Sequence, residues 1–195
     1  RNGCLACEVS RVVLGQRIRV LLVGLDNAGK ATLYYQLTSI EQYRRSVTLS
    51  MWEFNGHPQK EWKHEERKRG SPACEAAIFV VDANDRERFQ AARDAFQLVL
   101  AAVELENCPV LVMTTKQDLQ TAARTGEVSA LLNLESLEGT RTCAIQPVSV
   151  MAGTGLAEGM AWVEAAVEPW PFARFFRSLI RCRVRLESAI WIENG

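Results

Sequence analysis

Residues Gly24–Lys30 read Gly-Leu-Asp-Asn-Ala-Gly-Lys, directly behind the apolar run Arg17–Val23 and directly ahead of a helix-forming stretch that begins at Ala31. This spacing of Gly, four residues, Gly and Lys, set between a strand and a helix, constrains the fold more than any other stretch of the chain. The glycines let the backbone curl until its N–H groups face an anion, and the helix N-terminus adds its dipole. Gly24, Leu25, Asp26, Asn27, Ala28, Gly29 and Lys30 therefore form a candidate phosphate cradle, continued by Ala31 and Thr32, with Lys30 reaching the β- and γ-phosphates. The pattern usually continues with Ser or Thr, whose hydroxyl holds Mg²⁺. Here that position is Ala31. Thr32 comes one residue late, about 100° further round the helix, and does not simply substitute.

The rest of the chain repeats the alternation of strand and helix. β-Branched and leucine runs or period-two patterns predict strands at Arg17–Val23, Val47–Phe54, Ala76–Val81, Val110–Thr114 and Cys143–Ser149. Helices are predicted over Ala31–Gln42, Glu127–Leu134 and Leu156–Val167. A further helix is predicted from Asn84, with Glu87 completing a capping box and Phe89, Ala92, Phe96 and Val99 on one face. Lys60–Arg69 is charged and reads as solvated. Strands alternating with helices imply crossover connections and an α/β sandwich of three layers. Its central sheet is mainly parallel, with helices on both faces. Ligands of such sheets bind at the carboxyl ends of the strands, where the phosphate cradle lies.

Twenty-three basic and 23 acidic residues cancel, so nothing in the charge favours nucleic acid. No apolar run approaches the roughly 20 residues of a membrane-spanning helix, and no signal-peptide pattern opens the chain. The six cysteines are scattered and no Asn-x-Ser/Thr acceptor occurs, which fits a reducing cytosolic interior. Cys4 and Cys7 have the spacing of half a zinc site, but no second pair of that spacing follows. Plain thiols are the better reading. The chain opens on Arg1, so an N-terminal lipidation motif is not read from it.

GLDNAGKATLYYQL, FVVDANDRERFQAARDAF, TTKQDLQTA and IQPVSVMAGTGLAEGMAWV occur in that order between Gly15 and Val167. Together they resemble the Arf/Arl (ADP-ribosylation factor and Arf-like) branch of the small GTPases. The resemblance implies a P-loop NTPase-type fold, a GTP/GDP ligand and a switch acting in membrane traffic. It implies a cytoplasmic protein, peripheral on Golgi or other endomembranes, and a monomer; the effector and exchange factor stay unnamed.

Carried over residue by residue, Thr115-Lys116-Gln117-Asp118 stands where the family reads Asn-Lys-x-Asp. Asp118 would accept from the guanine N1–H and amino group, Lys116 would lie against the base, and Thr115 offers one hydroxyl in place of an amide. Ser149-Val150-Met151 stands at the last base contact, with Val150 in place of a small Ala. Trp52-Glu53-Phe54-Asn55-Gly56-His57 stands where the family reads Trp-Asp-x-Gly-Gly-Gln. Gly56 keeps an N–H for a γ-phosphate, and Glu53 lengthens the carboxylate that contacts Mg²⁺ through water. His57 replaces the glutamine that orients the attacking water; its default reading is a solvated side chain.

The largest departure follows the first helix. Only 21 residues separate Lys30 from Trp52. The predicted helix and strand leave Tyr43–Ser46 between them, and four residues span at most about 14 Å. That is a connector, too short for the loop whose Thr closes over the γ-phosphate in the family. Doubt therefore falls on Mg²⁺ and on hydrolysis. Three functions fit: a guanine-nucleotide binder with impaired magnesium binding and hydrolysis, an interaction module without nucleotide, or a slow GTPase using His57. The expected division is an extension at 1–14, the GTPase-type domain at 15–170, and a basic-aromatic tail at 171–195. Residues 171–185 interleave arginines with Phe and Leu, either as an interfacial membrane contact or as a partly packed tail.

Overall fold

The computed structural model describes residues 17–54, 74–102, 105–106 and 108–167, with the backbone alone at 44–46 and 52–54. β1 (Ile18–Leu25) leads into α1 (Lys30–Ser39), α2 (Glu41–Ser46) and β2 (Val47–Phe54). β3 (Ala76–Asp82) is followed by a 3₁₀ turn at Arg86–Arg88 and by α3 (Phe89–Ala101). Then come β4 (Val110–Thr115), α4 (Thr125–Leu132), a 3₁₀ turn at Leu134–Leu137, β5 (Cys143–Pro147) and α5 (Leu156–Val167).

The strands form one sheet in the order β2-β1-β3-β4-β5, and every pairing is parallel. A parallel neighbour requires a crossover, and crossovers place helices over the faces. All seven residues of β3 and all six of β4 are buried accordingly, apolar at successive positions until Asp82, Thr114 and Thr115 at their carboxyl ends. Alternate residues still divide between two cores. Ile18, Val20, Leu22, Ile78, Val80, Leu111 and Met113 pack with Leu33 and Leu37 of α1 and with Leu156, Met160 and Val163 of α5. Val23, Phe79, Val81, Val110 and Val112 pack with Phe96 and Val99 of α3 and with Val128 and Leu132 of α4. The expected sandwich, with helices on both faces, is the observed one.

Element boundaries depart from expectation by one or two residues at several ends, and the helix predicted over Glu127–Leu134 is displaced to Thr125–Leu132. The helix predicted over Ala31–Gln42 stops at Ser39. Ile40 is extended (φ −81°, ψ 116°) and the chain restarts as α2. The Thr38 and Ser39 hydroxyls donate to the carbonyls of Tyr34 and Gln36, at 2.8 and 2.7 Å, inside the last turn. Tyr43–Ser46 is consequently helical and not a bare connector, although the stretch remains as short. The helix predicted from Asn84 begins later, because the Asn84 N–H is bound to the Asp82 side chain at 2.9 Å and closes a turn instead of capping a helix. β5 ends at Pro147, and Ser149 pairs with Thr154 in an isolated antiparallel bridge.

Candidate nucleotide site

The phosphate cradle is built where β1 turns into α1. Gly24 sits between Glu53 of β2 and Val80 of β3. A Cβ there would lie 2.3 Å from the Val80 carbonyl oxygen, so only glycine lets the strands approach this closely. Asn27 (φ 56°) and Gly29 (φ 94°) then bring the backbone round in the left-handed region, and Gly29 sits at the N-terminus of α1. The Lys30 ammonium is buried. It donates to the carbonyls of Gly24 at 3.1 Å and Leu25 at 2.5 Å. Two neutral acceptors thus hold the cation inside the curl, where an anionic oxygen would bind it more strongly.

Ties from neighbouring loops hold this curl. The Thr115 hydroxyl, at the end of β4, lies 2.8 Å from the Ala28 carbonyl and 3.1 Å from that of Val81. Arg88 reaches across from the turn before α3. Its Nη1 donates to the Asp26 carboxylate at 3.1 Å and carbonyl at 3.2 Å, while its Nε donates to Asp85 at 2.6 Å. The Asp85 carboxylate, and Asp26 to a lesser degree, raise the Arg88 pKa above its ordinary value.

Facing the cradle, the β4–α4 loop and the loop after β5 meet. Asp118 accepts from the Ser149 hydroxyl at 2.6 Å, and the same oxygen of Ser149 accepts from the Ala152 N–H at 3.1 Å. The Ser149 bond, helped by its own backbone N–H, holds the Asp118 carboxyl below the usual range, so it is ionised at neutral pH. Lys116 adopts φ 60°, and its ammonium lies 2.5 Å from Asp82, a carboxylate buried at the end of β3. Val150 is buried in the same apolar cluster as Ala28, Val148 and Leu156, so its two extra methyls are taken up by the core.

The residues expected at the cradle and at the base are thus brought together at the carboxyl ends of β1, β4 and β5. They fit a purine nucleotide: curled backbone and cation at one end, an ionised carboxylate held by a hydroxyl at the other. The fit to Mg²⁺ is poorer at one position, where Ala31 supplies no oxygen and Thr32 is exposed one position on. The Glu53 backbone pairs with Gly24. The Glu53 side chain, Gly56, His57, Cys4, Cys7 and the tail from residue 171 lie outside what is described.

Sequence reasoning missed three participants: Asp82, Asp85 and Arg88. All stand in the quoted FVVDANDRER run. Their partners lie 34 residues away for Asp82 and 62 away for Arg88, so no local pattern announces the pairs.

Comparison with known proteins bears on the same stretch. Residues 7–50 and 38–167 match the model of the ADP-ribosylation factor family, and 38–50 fall in both segments. The chain is similar to ADP-ribosylation factor-like protein 3 of Caenorhabditis elegans. The two are 33% identical over 172 residues, covering 80% of this chain and 90% of that protein.

Proposed function

This chain belongs to the ADP-ribosylation factor family, and we propose that it is a guanine-nucleotide-binding member with impaired magnesium binding and hydrolysis. The pairing of Asp118 with Ser149 carries the proposal. An ionised carboxylate at the end of a parallel sheet matches the N1–H and amino donors of guanine, a pairing that adenine lacks. With the ammonium anchored on Asp82, the four-carbon stem of Lys116 is left to lie along the base. Lys30 exchanges loop carbonyls for phosphate oxygens. The family supplies the role, a nucleotide-dependent step in vesicle or membrane traffic on cytoplasmic membrane surfaces, with residues 171–185 as a peripheral contact.

Impairment follows from what the chain does not offer. Ala31 removes a hydroxyl, and Glu53 replaces the shorter carboxylate. The stretch between α1 and β2 is filled by α2 and leaves no closing loop. A reading without nucleotide draws on Lys30, whose bonds to Gly24 and Leu25 satisfy it within its own loop.

Titration calorimetry with GDP, GTP and ADP, with and without Mg²⁺, decides among these readings. The expected result is GDP binding about 100-fold or more tighter than ADP, changed little by chelating Mg²⁺. Heat from none of the three nucleotides leaves the interaction module. Equal affinity for ADP and GDP removes guanine recognition.

A further inference from the structure

At the end of the sheet opposite the phosphate cradle, cysteines gather ahead of three adjacent strands. Cys74 precedes β3, Cys108 precedes β4, and Cys143 opens β5. Ala77 pairs with Val110, which sets Cys74 and Cys108 at the same end of neighbouring parallel strands. Continued backwards, this register sets Cys108 opposite Glu75, one residue from Cys74, and both cysteines pack in the same side-chain cluster. The Cys108 thiol donates to the Cys74 carbonyl at 2.9 Å. Beside them stands Arg141, whose Nη atoms donate to the carbonyls of Leu100 and Leu105. Among the described residues its buried Nε has no hydrogen-bond partner. A cation held with one donor unspent is suited to stabilising a thiolate.

We propose that Cys74 and Cys108 are a redox-active dithiol, which closes to an intramolecular disulfide as it reduces a small disulfide of the glutathione class. Cys74, the more accessible of the two, reacts first. Its thiolate attacks one sulfur of oxidised glutathione, forming a mixed disulfide and releasing one glutathione thiolate, which takes up a proton. The Cys108 thiolate then attacks the Cys74 sulfur. The bond to glutathione breaks, and the second glutathione thiolate leaves and is protonated. Two protein thiols have lost two electrons and two protons, and one oxidised glutathione has become two reduced molecules.

Position assigns the second step to Cys108, the buried partner. In the reduced pair its thiol is lowered to about 7, chiefly by the Cys74 side chain and further by Arg141, against burial and the Glu75 carboxylate; the Arg141 charge is the lowering cause that remains once Cys74 carries glutathione. Glu75 is itself engaged by Arg19, through the backbone N–H at 3.0 Å and the guanidinium at 3.8 Å. Burial pushes Cys143 up to about 11, which leaves it a poor competitor at neutral pH. Dithiols of this kind in a reducing compartment are usually transient and redox-sensing.

The full chain is reduced, freed of reductant, exposed to oxidised glutathione and digested without reduction for peptide mass spectrometry. The expected product is a peptide linked through Cys74 and Cys108 that dithiothreitol separates. Cys108→Ser stops at glutathionylated Cys74, and Arg141→Gln slows closure, with circular dichroism confirming that both variants fold. The wild-type map decides even where a variant does not fold. Persistent glutathionylated Cys74 in the wild-type chain, or Cys108 linked to any other cysteine, overturns the proposal. Nucleotide is absent throughout, so the outcome is independent of the site at the other end of the sheet.

Discussion

At Thr115 one hydroxyl, able to donate one hydrogen at a time, stands between two carbonyls, Ala28 in the cradle and Val81 in β3. The family's amide has two donors for such a place; the hydroxyl still joins the cradle to the ends of β3 and β4. Thr115→Val keeps the shape and removes the donor. Leaving buried carbonyls without it costs about 1–3 kcal/mol, which urea unfolding should register as a lower midpoint at unchanged slope. An unaltered midpoint would mean that the tie contributes nothing. Gly24–Lys30, Asp118 and Ser149 were legible in the sequence because each lies in a short motif with fixed spacing. Asp82 with Lys116, and Arg88 with Asp26, were not, because an ion pair across 34 or 62 residues exists only once the sheet has placed its members.

The elements were legible where burial dictates them. β2 and α5 have the predicted bounds, and β3 and β4 each run one residue further than predicted. Boundaries failed where side chains compete with the backbone ladder. No Gly or Pro marks the break at Ile40, and the Asp82 side chain takes the N–H of the residue expected to open α3. α3 itself is fixed by its apolar stripe. Phe96 is fully buried, with its ring centroid 5.0 Å from that of Phe79 on β3. Phe96→Ala should therefore destabilise the protein by about 3–5 kcal/mol, measured by chemical denaturation. A loss under about 1 kcal/mol would place the anchoring of α3 elsewhere.

For the molecule as a whole, the question is whether a cradle and a base site amount to an enzyme. Phosphoryl transfer to water depends on positioning and charge stabilisation. Ala31 and the short stretch before β2 bear on both. In a single-turnover assay with Mg²⁺, after bound GTP is confirmed, γ-phosphate release should not exceed that of an unfolded control. Hydrolysis that disappears in His57→Ala would establish the slow GTPase instead. The strand order carries a consequence of another kind. β1 emerges from the ribosome first, yet one of its two neighbours begins near Glu75, 56 residues behind its partner Arg19. At translation rates of about 5–20 residues per second, that interval is on the order of 3–10 seconds. Throughout it the nascent chain presents an apolar strand with an uncovered flank, open to chaperones and to mispairing with other nascent chains.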